Sequence, residues 1–291
     1  MRAAILLKSA LVGLAALAAA GPALALPPVW VVRDADSEMV LFGSVHILPR
    51  GLDWEPPALA KALAAADDLW FELPVDAATE AETGRIATQA GVLDPGQSLF
   101  KILPPKDAAR LLKVAATYDV SPAVLDRLQP WLAEIALAGG AYRKAGADAA
   151  SGVERTISAA ARPDAERHAF ETPLEQITIL SQAPRREQIS SLRQTMEEME
   201  TKPDQFGTLV KAWTDGDVAG LDREAIAEMR KAAPTLFKTL VTERNIRWTK
   251  VLDDRLKGQG HTVVVVGVGH LIGPGGVPAR LRALGYSVTG P

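Results

Sequence analysis

The sequence predicts an α/β fold: a central mixed, largely parallel sheet built from the N- and C-terminal segments, with a large helical insertion between them. Three observations lead there. Short apolar runs rich in Val, Leu and Phe lie near both ends of the chain. The stretch from about 80 to 256 follows helical spacing and is broken repeatedly by proline. Both terminal regions carry the same strand-to-turn pattern ending in histidine. Strand-forming ends around a helical middle describe helices layered on a sheet.

Taken in order, residues 1–25 read as a secretory signal peptide. Arg2 and Lys8 form a basic start, Ala10 to Ala20 is apolar, and Ala23-Leu24-Ala25 supplies a small-residue cleavage site. The apolar run is short of the ~20 residues that span a bilayer. The expected location is therefore periplasmic or secreted, with no membrane span in the mature chain. Residues 26–291 are then read as a single domain, with a helical cover over roughly 80–256. Val29 to Arg33 and Glu38 to Gly43 flank the polar Asp34-Ala35-Asp36-Ser37 and predict a β-hairpin. Pro56 to Ala66 predicts a helix, and Asp68 to Leu73 a short buried strand, completing a βαβ unit. Asp107 to Tyr118, Gln188 to Glu200 and Phe206 to Thr214 are helical segments between prolines. Glu197, Glu198 and Glu200 are assigned to a solvated helix face, and His168 to a helix surface. The chain closes with the strand His261 to Val266, a Gly/Pro-rich turn, the helix Val277 to Leu284 and the strand Tyr286 to Thr289.

Composition limits the chemistry. The chain has 291 residues, 48% of them hydrophobic, and a formal net charge of −3. Removing Arg2 and Lys8 leaves 30 basic groups against 35 acidic ones, a mature charge of −5. That balance offers no electrostatic footprint for nucleic acid. With no cysteine, thiolate nucleophiles, cysteine zinc sites and iron–sulfur clusters are excluded. Only oxygen and nitrogen side chains remain. The sequence has no HExxH, GxSxG or GxxxxGK[ST] motif, and Gly267-Val268-Gly269 followed by Gly273 misses the dinucleotide spacing by one residue.

The candidate site comes from the repeated pattern. Val40-Leu41-Phe42-Gly43-Ser44-Val45-His46 and Val264-Val265-Val266-Gly267-Val268-Gly269-His270 each place three apolar residues, a glycine, two further residues and a histidine. Glycine at a strand end permits a sharp turn or the close approach of a second backbone or a ligand. Ligands of open α/β sheets sit at the carboxyl ends of the strands. If the two strands pair, His46 and His270 share one rim, and Glu72, ending a third strand, reaches the same place. Two imidazoles and a carboxylate suit a divalent metal such as manganese, cobalt or zinc. A role for each histidine in merely satisfying a buried turn stands beside that reading. If Val241 to Leu256 is a helix, Val241, Asn245, Trp248 and Leu252 share one face, with Arg244 at its border. Arg244 and Asn245 then belong to a buried network or a site, since an inward polar group needs a partner. Arg244 lying over Trp248 is the plainer reading. Spacing alone selects neither Glu154 nor Glu171.

The pieces Leu41 to His46, Phe71-Glu72-Leu73, Gly152-Val153-Glu154, Glu171 to Gln176, Glu243-Arg244-Asn245 with Trp248, and Val266 to Leu271 together resemble the TraB/GumN family, relatives of the TIKI metalloproteases and, more remotely, of erythromycin-esterase-like and ChaN-like proteins. The resemblance runs from about Val29 to the end. It implies an α/β fold with a helical insertion and, through the TIKI relatives, a metal-dependent peptidase. His46, His270 and Glu72 would be metal ligands or their neighbours. Glu72 or Glu154 would act as general base and Arg244 as oxyanion partner, supported by Gly43, Gly267, Asn245 and Glu171. The substrate would be a peptide or small molecule. A non-catalytic periplasmic protein that holds a metal, haem or a peptide at the same rim is the alternative.

Overall fold

The computed structural model describes residues 26–291, so the expected signal segment lies outside the described residues. Strands β1 (Val29–Arg33) and β2 (Ser37–Ser44) form the expected antiparallel hairpin. The main sheet also contains β4 (Asp68–Phe71), β6 (Glu166–Ala169), β7 (Gly260–Gly267) and β8 (Ser287–Thr289). The small strands β3 (Leu48–Pro49) and β5 (Ala147–Asp148) pair separately. The order in the main sheet is β6-β4-β7-β2-β1-β8. β6, β4, β7 and β2 run parallel, whereas β1 and β8 are antiparallel additions at one edge.

β7 is valine-rich because it is covered on both faces. Val263 to Val266 are at most 1% exposed, as are Leu41 and Phe42 on the neighbouring β2. A parallel strand buried on both sides reads as a continuous apolar run rather than an alternation. Helix Pro57–Ala65 packs on β2 and β7, and helix Arg244–Leu256 packs on β2 and on helix Val277–Ala283. The parallel pairing opposes Gly43 to Val266 and Ser44 to Gly267. That register brings the two ends of the chain together at one rim.

The helical middle is larger than a lid. It has its own apolar cluster, including Leu99, Leu111, Leu125, Leu137, Leu192 and Met196, all fully buried. Helices Pro130–Lys144 and Arg185–Thr201 pack together there. Two expectations are corrected. The middle also donates a strand: β6 pairs parallel with β4 and forms the far edge of the sheet. His168 therefore lies in β6 and not on a helix, with its ring stacked on Trp70 at 4.6 Å between centroids. The segment Glu166-Arg167-His168-Ala169 is too polar to read as a strand, because an edge strand with exposed residues needs little apolar pattern.

Candidate functional site

The site forms where β2, β4, β6 and β7 end. β2 delivers Ser44 and, two residues beyond it, His46; β4 delivers Glu72; β6 is followed by Glu171; and β7 leads into the single helical turn Val268–His270. The two motif glycines are required by close approach. A Cβ on Gly43 would lie 2.7 to 2.9 Å from Val268 atoms, and one on Gly267 would lie 3.2 Å from the Glu72 carboxylate. Neither glycine has positive φ. The motif thus seats the β7 turn against β2 and leaves room for Glu72.

The expected residues divide into a buried cluster and a pocket pair. In the cluster, Arg244 Nη2 donates to Glu72 Oε2 at 2.5 Å. Its Nε donates to both Glu171 oxygens at 2.8 and 3.0 Å. Its Nη1 donates to the Leu240 carbonyl at 3.1 Å and to His270 Nε2 at 3.0 Å. The guanidinium is 2% exposed and lies over Trp248 at 4.5 Å. Both readings of Arg244 therefore meet: it covers the indole, and it holds two carboxylates.

Asn245 determines the state of His270. Its Nδ2 donates to the His270 and Gly275 carbonyls, so its Oδ1 accepts from His270 Nδ1, at 2.6 Å. Nδ1 thus carries the proton and Nε2 presents a lone pair, which Arg244 fills. Burial, with the Arg244 charge beside it, pushes the His270 pKa down to about 4 despite the attraction of Glu72. The ring is neutral. Burial alone would raise the Glu72 carboxyl, but Arg244 leads the opposing charges and the Gly267 N–H adds a 2.7 Å bond, bringing it down to about 2.

The second group faces solvent. His46 Nδ1 and Ser44 Oγ each lie 2.6 Å from Glu154 Oε1. The Glu154 charge raises the His46 pKa to about 9 against the opposing effect of burial. Its side chain is 67% exposed, so water screens part of that attraction. Burial alone would raise Glu154, but the His46 charge and the hydrogen bonds from His46 and Ser44 together lower it. His46, Glu72, Glu154 and Gln176 line a cavity of about 480 Å³ with an apolar wall that includes Ile47, Leu73 and Val75. Gln176 Nε2 also donates to Glu72 at 3.3 Å.

Glu72 therefore joins the two groups. His270 and Arg244 lie behind it, while His46 and Glu154 stand in the open cavity in front. His270 Nε2, the nitrogen a metal would need, already accepts from a permanent cation, and the same cation is bonded to Glu72. Among the described residues no group of three or more His, Asp or Glu side chains is arranged to hold a metal ion. This donor arrangement does not fit a His46–Glu72–His270 metal centre. Ser44 and Gln176 were not singled out from the sequence. Ser44 lies inside the Gly-Ser-Val-His motif, two residues before His46, where alternation gives both the same side of the strand end.

The fold and site define an α/β protein with a charged pocket at the carboxyl ends of parallel strands. The TraB/PrgY/gumN family model matches residues 28–290, and the chain belongs to that family. Two relatives named uncharacterized protein YbaP, from Escherichia coli (strain K12) and Shigella flexneri, are each 24% identical over 260 residues, covering 88% of this chain and 92% of theirs. No solved structure matches the chain. Among the described residues no helix is long and apolar enough to cross a membrane.

Proposed function

We propose that this chain is an exported hydrolase of peptide or related acyl bonds, acting at the cavity shared by His46, Glu154 and Glu72. The observation that carries the reading is the His46–Glu154 pair. The carboxylate accepts the Nδ1 proton at 2.6 Å. That leaves Nε2 without a protein partner among the described residues, on a ring lining the cavity. Once deprotonated, an imidazole oriented this way takes a proton from water as it attacks the acyl carbon. It returns the proton to the leaving nitrogen or oxygen as the acyl bond breaks. Ser44 Oγ donates to Glu154, and Gly152 lets its backbone pass close to the His46 carbonyl. Glu72 is a poor base because its carboxyl is pulled down to about 2, so the base role falls to His46. Arg244 acts by fixing Glu72, since its guanidinium is committed inside the protein. Export is supported by the composition of residues 1–25.

The test is turnover of a peptide and ester library by the purified protein. It is run with chelator and with added manganese, cobalt or zinc, so that the metal-dependent form implied by the TIKI relatives is measured in the same assay. Loss of turnover by about a hundredfold or more in His46→Ala, with folding retained, is expected. Unchanged turnover in that variant, or none by the wild type on any substrate, refutes the reading. Tight metal binding without turnover favours a non-catalytic binding protein.

A further inference from the structure

A second cavity of about 320 Å³ lies within the helical cover, away from the sheet. Its walls come from helices Pro130–Lys144, Arg185–Thr201 and Gln205–Thr214 and from the segment carrying Leu236 and Leu240. Tyr118, Trp131, Tyr142 and Phe206 contribute aromatic surface, and the Tyr142 and Phe206 rings are 4.9 Å apart. Trp131 is 4% exposed, and its indole N–H has no hydrogen-bond partner among the described residues.

Among the apolar lining are three acids, Glu134, Glu198 and Asp204. Glu198 was expected on a solvated helix face, yet it is only partly exposed and turned to this cavity, while Glu197 and Glu200 are exposed or surface-paired. Glu134 Oε1 accepts from Ser191 Oγ and Thr195 Oγ1, both at 2.8 Å. Its Oε2 receives no hydrogen bond among the described residues. Burial pushes the Glu134 carboxyl up to about 7 against those two hydrogen bonds, and the Glu198 charge adds to the rise. The cation at the rim, Lys202, is paired with Glu224 at 2.9 Å. The cavity therefore has a carboxylate seat whose one lining cation among the described residues, Lys202, is committed to Glu224, surrounded by aromatic faces that attract cations.

We propose that this cavity is a second small-molecule site, for an amphiphilic organic amine whose ammonium sits against Glu134 and whose apolar body fills the aromatic-lined space. An ammonium supplies the missing positive charge, and the apolar wall selects against a bare inorganic cation, which would lose its hydration for little return. Size agrees, since the cavity lies at the lower end of the range for small ligands, roughly 300–1,000 Å³. The inference is independent of the hydrolase reading, because it concerns binding in a different part of the fold.

The experiment is calorimetric titration of the full mature chain with octylamine and with octanol at pH 8, with circular dichroism as a folding control. Octylamine is expected to bind at least about tenfold more tightly than octanol. Glu134→Gln keeps the volume and the Ser191 and Thr195 contacts, and should bring the two affinities to within about twofold by weakening the amine alone. Ala138→Trp, which fills the cavity, should abolish binding of both. Equal affinity for amine and alcohol in the wild type, an undiminished preference in Glu134→Gln, or amine binding that survives Ala138→Trp overturns the proposal. Absence of any binding overturns it as well.

Discussion

Replacing Arg244 by methionine tests the buried cluster most directly. The wild-type guanidinium contacts Glu171, whose side chain is 3% exposed, and Glu72, whose side chain is 11% exposed. Methionine keeps apolar contact with Trp248 but leaves two carboxylates facing each other with little water. Breaking a buried ion pair by removing one partner costs about 3–5 kcal/mol. Burial alone would raise the Glu72 carboxyl, and Arg244 leads the charges that lower it, so removing the arginine also destabilises the ionised Glu72. That loss is a large part of a total stability of about 5–15 kcal/mol. For a chain of this size, Tm should fall by roughly 6–20 °C, at about 2–4 °C per kcal/mol. Urea unfolding should show a lower midpoint at unchanged slope. Adding Glu171→Gln and Glu72→Gln to Arg244→Met should recover more than half of the loss, since the stranded charges are then gone. A destabilisation of Arg244→Met below about 1 kcal/mol would refute the reasoning, because it would mean that the carboxylates are paired or solvated without the arginine.

Three further outcomes follow from the same geometry. A Cβ on Gly152 would collide with the His46 carbonyl oxygen; Gly152→Ala should therefore displace His46 and lower turnover in the proposed hydrolysis by about a hundredfold, whereas Gly84→Ala, with nothing near it, should leave that turnover unchanged. Stability should decline in acid in two stages. His270 is held below its ordinary 6.5 at about 4, so its contribution is complete above pH 6.5 and is lost as pH falls toward 4; Glu72, lowered from 4.5 to about 2, contributes above pH 4.5 and loses that contribution as pH falls toward 2. Urea midpoints across that range measure both, and a His270→Gln variant should lack the upper stage. Turnover that depends on neutral His46 should rise with pH along a limb between 6.5 and 9, its ordinary and raised values, and Glu154→Gln should move that limb toward lower pH; a limb that stays in place in Glu154→Gln excludes the pair as the titrating unit.

How much of this was legible depended on the kind of signal. The hairpin, the valine-rich β7 and the helix bearing Arg244 and Asn245 could be read because each is local: alternation, β-branching and a shared helical face express burial directly in the sequence. The repeated Gly-x-x-His pattern likewise identified both rims, and the parallel pairing of β2 with β7 brings them together. Strand β6 was missed because an edge strand carries polar residues, and its partner β4 lies about a hundred residues earlier. The division of labour between the two histidines was also invisible. His46 and His270 occupy the same place in matching motifs, yet one sits beside Glu154 in an open cavity and the other between Asn245 and Arg244 in the interior.

By itself, the sequence determined the layer order of an α/β domain, the absence of thiol chemistry and the short set of residues able to do chemistry, because composition and periodicity are properties of neighbours along the chain. Only the tertiary structure decided which of those residues meet. Glu72 is held by an arginine from 172 positions away, and Glu154 is paired with a histidine 108 positions before it. A side chain's protonation and orientation follow from such distant partners, and no local pattern carries them.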